Sequence, residues 1–137
     1  MPVAIIGGIL GGFFVDLDHL FDYFLAFGFN FNLQAFLKGY QFVKIDKIYI
    51  PLHAWELPAV LLVIVFFVKK LNNLSKAFVT AFAVGLIFHL TIDTVTNEQY
   101  FKSYFLSYRI EKKFELKELV TPDHYVYHLK KKKRLGF

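Results

Sequence analysis

The chain has no cysteine among its 137 residues, and it has only one methionine and one tryptophan. The lack of cysteine excludes disulfide bonds, thiolate metal ligands and a cysteine nucleophile. Basic residues are also missing from the N-terminal region, where the first is Lys38. A secretory signal peptide begins with a basic region, so we expect the apolar residues 1–15 to be a retained helix rather than a cleaved leader.

Apolar and aromatic residues are abundant instead. They include 18 Phe and 8 Tyr, the hydrophobic fraction is 56% and the mean hydropathy is +0.45. Soluble domains contain about 45–50% apolar residues, even when glycine is counted. A composition of this kind is typical of lipid-facing helices and interfacial aromatic belts. The sequence therefore predicts a small all-α membrane protein, and a soluble helical bundle with an unusually apolar core is the alternative.

Three apolar stretches, at residues 1–15, 57–68 and 77–92, are candidate transmembrane helices. Fifteen helical residues cover roughly 22 Å, whereas the hydrocarbon core of a bilayer is about 30 Å thick. Each short helix must therefore extend through its polar flank, thin the bilayer or pack against its neighbours. We also expect an interfacial helix over residues 33–42, following Asn30 or Asn32 as its cap.

The chain changes character after residue 97. Residues 98–137 alternate aromatic and charged residues and carry the basic run "KKKKR" near their end. We interpret residues 1–97 as a membrane domain and residues 98–137 as an amphipathic, basic segment, with strand-like character around residues 104–114. The segment lacks the aromatic and Gly-rich motifs by which proteins recognise nucleic acids, so a lipid surface is the expected partner and nucleic acid is not.

Three polar motifs stand at the ends of the apolar stretches: "DLDH" at residues 16–19, "HAWE" at 53–56 and "HLTID" at 89–93. If the helices alternate up and down, all three motifs lie at one membrane face. Together they supply three histidines and at least three carboxylates, which is a ligand set for zinc, manganese or a two-metal site. Taken singly, each motif is more typical of a buried His–Asp hydrogen bond, a helix cap or an acidic residue in the first turn of a helix than of a metal site.

The order of these motifs resembles the integral-membrane metal-dependent hydrolases, also described as LexA-binding, inner-membrane-associated hydrolases. The resemblance covers roughly residues 7–97, although Val15 replaces the family's proline and "LHAWE" offers one histidine where the family has two. It implies an all-helical membrane fold and hydrolase activity. It also implies metal roles for six residues: Asp16, Asp18, His19, His53, His89 and Asp93.

The expected chemistry is hydrolysis by a metal-activated water. Zinc is the first choice of cofactor, with manganese or magnesium as alternatives. We assign Glu56 as the general base that accepts the proton of the water. Asp18 is expected to orient an imidazole ligand from behind. The alternative is a non-catalytic membrane protein in which a structural metal or a polar cluster ties the helices together.

A site at the membrane interface suits an amphipathic substrate, such as a phospholipid or another phosphoester or ester. Tyr100, Tyr104 and Arg109 are candidates for binding its headgroup, or else they are interfacial anchors. Of the sixteen Lys and Arg, three lie between the second and third apolar stretches and the other thirteen lie on the metal side. This asymmetry predicts that the metal side faces the cytoplasm of a prokaryotic-type inner membrane.

Overall fold

The computed structural model describes residues 2–137, and the regular secondary structure in this range is helical apart from two isolated β-bridges. The all-α expectation is confirmed. The helices are α1 (Pro2–Phe13), α2 (Asp18–Phe27), α3 (Leu33–Leu37), α4 (Tyr40–Ile45), α5 (Glu56–Phe67), α6 (Asn73–Thr96), α7 (Leu106–Glu111), α8 (Leu116–Leu119) and α9 (Pro122–Leu135).

Two helical segments are long and apolar enough to cross a membrane. The first joins α1 to α2 through a 3₁₀ turn at Phe14–Leu17 and spans 26 residues, and the second is α6 with 24 residues. The first helix was expected to end near Asp16, but it continues to Phe27, so the "DLDH" motif lies inside the segment. The middle apolar stretch forms α5, whose 12 residues measure about 18 Å and are shorter than the membrane core.

Glycines bring α1 and α6 into backbone contact. A Cβ atom added to Gly11 would lie 2.0 Å from the carbonyl oxygen of Phe82, and one added to Gly85 would lie 2.2 Å from the carbonyl oxygen of Gly8. Close backbone approach of this kind is typical of small residues between membrane helices. The contacts advance together along both helices, so α1 and α6 run parallel and begin at the same end of the molecule.

The expected interfacial helix is divided in two. The side chain of Asn32 accepts a hydrogen bond from the Ala35 N–H (2.9 Å) and caps α3. The chain then turns at Gly39, where φ is +64° and glycine is favoured, before α4 begins. α9 packs on α4 through a 2.7 Å hydrogen bond between His128 Nε2 and Asp46 Oδ1.

The C-terminal segment is helical where strand-like character was expected. Residues 106–111 form α7 because the Glu56 carboxylate accepts the N–H groups of Leu106 and Ser107, both at 3.0 Å. These are donors that a helix start leaves without intrahelical partners. Tyr108 of this helix packs against a small core cluster of Ile48, Ile50, Leu116, Leu119 and Val120.

Candidate metal centre

Side chains from three parts of the chain meet beside the 3₁₀ turn. Asp16 lies on that turn, His53 lies just before α5, and His89 and Asp93 lie one turn apart on α6. The Nε2 atom of His53 is 3.5 Å from Asp16 Oδ1 and 3.5 Å from Asp93 Oδ2. The Nε2 atom of His89 is 3.5 Å from Asp16 Oδ1 and 3.4 Å from Asp93 Oδ2.

These distances fit a shared cation better than direct hydrogen bonds. A charge-assisted N–H···O bond is normally about 2.7–2.9 Å long. Tetrahedral ligands held about 2.0–2.2 Å from a zinc ion are separated from one another by about 3.3–3.6 Å. Within residues 2–137 neither Nε2 atom has a hydrogen-bond partner, although both are buried. Two buried nitrogens directed at two carboxylates are therefore an arrangement that could hold a metal ion.

The other ring nitrogen of each histidine is already engaged. His53 Nδ1 lies 2.9 Å from Asp18 Oδ1, and His89 Nδ1 lies 2.7 Å from the carbonyl oxygen of Gly12. An oxygen acceptor at Nδ1 places the proton there and leaves the Nε2 lone pair free for a metal. Both imidazoles are thus oriented as ligands, and Asp18 holds the position behind a ligand that the sequence suggested.

The loop that carries His53 is fixed by buried polar groups. Asp18 Oδ2 also accepts the N–H of Leu52 (2.7 Å), while Asp22 Oδ2 accepts those of Tyr49 (3.0 Å) and Ile50 (3.3 Å). The buried Arg109 donates to the carbonyl oxygens at positions 49, 50 and 53. Backbone donors are thus held by aspartates and backbone acceptors by the guanidinium, so the loop has little freedom to move His53.

The site is electronegative. Burial by itself lowers the pKa of His53, but the Asp16, Asp18 and Asp93 carboxylates around the ring outweigh burial and raise the pKa of His53 to about 9. Carboxylates gathered in a poorly solvated place favour positive charge. A divalent cation between the histidines would meet the same electrostatic demand.

His19 lies on the open side of the cluster. Its Nε2 atom is 3.9 Å from Asp16 Oδ1, and its ring centroid is 4.8 Å from that of His53. Asp18, His19 and His53 can also bring one ligand atom each within 4.8 Å of one another. His19 is therefore placed either to complete the coordination of one ion or to act beside it.

Glu56 does not join this cluster. Its Oε1 atom accepts from the N–H and the hydroxyl of Ser107, at 3.0 and 2.9 Å, and its Oε2 atom accepts from the N–H of Leu106. Both oxygens are thus committed to the start of α7. These contacts give Glu56 a structural role in joining α5 to α7 rather than the position of a base.

The three residues expected to bind a headgroup are dispersed. Arg109 is buried under the His53 loop and faces backbone carbonyls. Tyr104 is buried too, and its hydroxyl donates to the carbonyl oxygen of Asp93 (2.9 Å); burial raises the pKa of Tyr104 to about 12. Tyr100 is exposed. Arg109 and Tyr104 thus hold the backbone at His53 and Asp93, and of the three residues only Tyr100 is exposed to a ligand.

Several residues near the site were not singled out from the sequence. Asp22 lies one helical turn after Asp18, and this spacing was a usable signal for a shared role. The contact of His89 with Gly12 is made by a backbone carbonyl, so no side chain in the sequence could have indicated it. Gln41 is buried with its Oε1 atom unpartnered within the described chain, and a polar residue inside the aromatic segment was the available hint.

The assembled site offers two imidazole nitrogens and two carboxylates to one cation, with a third histidine at its open edge. Such a set of nitrogen and oxygen ligands suits zinc or manganese better than magnesium, which prefers oxygen ligands and bound waters. Comparisons of the chain with protein-family models, with curated proteins and with solved structures found no match, so this geometry is the basis for assigning a function.

Proposed function

We propose that the chain is a membrane-bound, metal-dependent hydrolase that acts on an ester or phosphoester of an amphipathic substrate. One observation carries the proposal: the buried Nε2 atoms of His53 and His89 face Asp16 and Asp93 at 3.4–3.5 Å without hydrogen-bond partners in the described residues. The motifs that resemble the integral-membrane metal-dependent hydrolases are those whose side chains lie together here, which supports the same proposal.

In this proposal, His53, His89, Asp16 and Asp93 hold a divalent metal, with zinc as the first choice. A zinc ion in such a site lowers the pKa of a bound water to about 7 and polarises the substrate. Asp18 and the Gly12 carbonyl keep the two ligand imidazoles in the required tautomer. His19, at the open edge, is the side chain best placed to hold or transfer a proton.

The exposure of one proposed ligand, Asp16, favours a catalytic metal over a purely structural one. Structural zinc sites are closed by protein ligands, whereas catalytic sites keep a position for water or substrate. The side chain of Asp16 is 52% exposed although its partner His53 is buried. Asp16 is therefore the ligand whose position a water or substrate can take, which leaves His53, His89 and Asp93 as the three protein ligands of a catalytic site.

Little of the surface of the two long helices is buried inside the protein, which supports a membrane location. In their most apolar windows, 22% of the first segment and 17% of α6 are buried inside the protein. The core helix of a soluble protein would be mostly buried. We infer that both segments cross a bilayer, that α5 enters it as a shorter third element, and that the metal side faces the cytoplasm of a prokaryotic-type inner membrane.

The test is the metal content of the detergent-purified protein, measured by elemental mass spectrometry. We expect about one or two equivalents of zinc or manganese in the parent and loss of the metal in a His89→Ala/Asp93→Ala double variant. His124→Ala is the matched control, because its side chain contacts Glu98 outside the cluster. Folded parent protein that stays metal-free after divalent cations are supplied would overturn the hydrolase proposal and leave a polar cluster that ties the helices together.

A further inference from the structure

Two cavities meet at His19. One has a volume of about 500 Å³ and the other about 280 Å³. His19, Gly39 and Phe42 line both, so the two spaces adjoin each other along the open edge of the metal centre. The larger volume lies within the roughly 300–1,000 Å³ that is common for small-ligand sites.

The larger cavity is an apolar groove between α2 and the α3–α4 region, with Asp16 and His19 at one end. Most of its remaining lining is hydrocarbon from Leu17, Leu20, Phe36 and Leu37. Gln41 also lines it and is buried, and its Oε1 atom lacks a partner within the described part of the chain. A buried amide beside apolar walls can fix the position of a ligand that is itself mostly apolar.

The smaller cavity also has apolar walls, but it carries more polar and basic groups than the groove. Lys38 and Lys131 both line it, and Lys131 Nζ donates to the Lys38 carbonyl oxygen at 2.8 Å. Within residues 2–137, neither ammonium group has a carboxylate within 4.0 Å, and the one acid in the lining, Glu98, is engaged by His124. Burial, followed by the like charge of Lys38, lowers the pKa of Lys131. An anion between the two lysines would relieve this repulsion.

We propose that the substrate is a phosphate monoester of a long-chain alcohol, bound across both cavities. This inference depends on the proposed function and names its substrate class. The hydrocarbon chain lies in the groove of Leu20 and Phe36, the phosphate oxygens face Lys38 and Lys131, and the ester oxygen lies at His19. Asp16, Asp18 and Asp93 exceed the charge of one divalent ion, so the lysines are needed to attract an anionic substrate.

The reaction balances without a further reactant. The water oxygen forms a bond to phosphorus, the bond between phosphorus and the alkyl oxygen breaks, and one proton passes from the water to that oxygen. The products are the alcohol and inorganic phosphate. His19 adjoins both the groove and the phosphate side, so it is the group positioned to deliver the proton to the leaving alcohol.

The experiment measures phosphate release by the zinc-loaded, full-length protein in lipid nanodiscs, with butyl, octyl and dodecyl phosphate as substrates. Each methylene that enters the apolar groove adds to the binding of the substrate. We therefore expect kcat/KM to rise at least about tenfold from butyl to dodecyl phosphate. Vesicles of phosphatidic acid form a separate arm, which tests whether a two-chain membrane lipid is accepted as well as a single-chain ester.

Two variants test the two cavities. Leu20→Trp fills the groove and should reduce kcat/KM for dodecyl phosphate at least tenfold more than for butyl phosphate, whereas Val60→Trp on the exposed surface of α5 is its control. Lys38→Ala/Lys131→Ala should raise KM about tenfold for every alkyl phosphate. Its control is Lys130→Ala, an exposed lysine of the same helix α9.

The outcomes separate the substrate class from the underlying function. Phosphate release that is independent of chain length and of Leu20→Trp would overturn the groove assignment and leave the hydrolase proposal standing. Hydrolysis of long-chain carboxylic esters without phosphate release would overturn the phosphate assignment alone. A protein that binds no metal and hydrolyses neither class would overturn both proposals.

Discussion

Each ligand histidine of the candidate site has one occupied nitrogen and one free nitrogen. His53 is held from behind by a carboxylate and His89 by a backbone carbonyl, at 2.9 and 2.7 Å respectively. The carboxylate of Asp18 is charged and the carbonyl of Gly12 is not. Only the carboxylate can be removed by a substitution, because the carbonyl belongs to the backbone. The contribution of the supporting contact to metal binding can therefore be measured at Asp18.

Asp18→Asn should weaken metal binding by about 10- to 100-fold, because an amide neither fixes the tautomer of His53 nor raises its basicity as a carboxylate does. Competition with a chelating dye measures the affinity of the purified protein. Asp123→Asn, an exposed change of the same kind on α9, serves as the control. Equal affinities for the parent and Asp18→Asn would show that the Asp18 contact does not tune the ligand.

Local spacing predicted the residues of the cluster but not every role. His89 and Asp93, or Asp16 and His19, are near in sequence, so a helical period brings each pair to one face. The partners of Glu56 are about 50 residues away, at Leu106 and Ser107. Arg109 likewise binds carbonyls about 56–60 residues away. No local pattern encodes such contacts. Glu56 was therefore predicted to be a general base and Arg109 a headgroup-binding residue, whereas the contacts of both are structural.

Among the helices, the contact of α1 with α6 determines whether His89 reaches the site. The backbones touch at Gly11 and Gly85, and the carbonyl that supports His89 belongs to Gly12. A change in the separation of the two helices would therefore move a ligand as well as a packing surface.

Gly11→Ala should destabilise the protein by about 1–3 kcal/mol, because its Cβ would lie 2.0 Å from a backbone oxygen that cannot move aside. The matched control is Gly12→Ala in the same helix, whose Cβ would meet nothing within 4 Å. Thermal unfolding in detergent compares the two variants with the parent. Equal melting temperatures for Gly11→Ala and Gly12→Ala would contradict the close packing of these helices.

The junction of α4 with α9 should be sensitive to acid. Burial raises the pKa of Asp46, but its contacts with Lys132 and His128 outweigh burial and hold the pKa below the ordinary value of 3.8. A group with a lowered folded pKa stabilises the protein above its unfolded pKa, and this stabilisation is lost as the pH falls through the folded value.

Asp46→Asn should therefore lower the melting temperature at pH 6, and the difference from the parent should shrink as the pH falls below 3.8. Asparagine tolerates the φ of +54° at this position, so the backbone is conserved in the comparison. A difference that persists unchanged at low pH would mean that the Asp46 charge does not stabilise this junction.

The boundaries of the helices were harder to predict than their existence. Charge at Asp16 and Asp18 suggested a helix end, yet the helical segment continues to Phe27, and the buried Asp18 carboxylate turns inward to His53 and its loop. Asn32 was a recognisable cap and the helix start after it was predicted. The break at Gly39 arises because the backbone of this glycine is in the left-handed region. It divides the single helix that was expected over residues 33–42.

At the scale of the whole molecule, the lack of cysteine makes the proposed membrane orientation easy to test. Lys70→Cys, in the loop before α6, and Lys133→Cys, in α9, each introduce a single exposed thiol. In intact bacterial cells, a membrane-impermeant maleimide should label Lys70→Cys, whereas Lys133→Cys should be labelled only after permeabilisation. The reverse pattern would contradict a cytoplasmic metal side.

The hydrogen bond from His89 to Gly12 joins residues 77 positions apart. During synthesis, the first helix is complete long before α6 exists, so Asp16 is made well before the histidine of α6 that lies beside it. The complete ligand set forms only when the last long helix docks parallel to the first. Under the proposed function, metal binding would therefore require that the first helix and α6 have docked in the correct register, and a truncated or misinserted chain would bind no metal at this site.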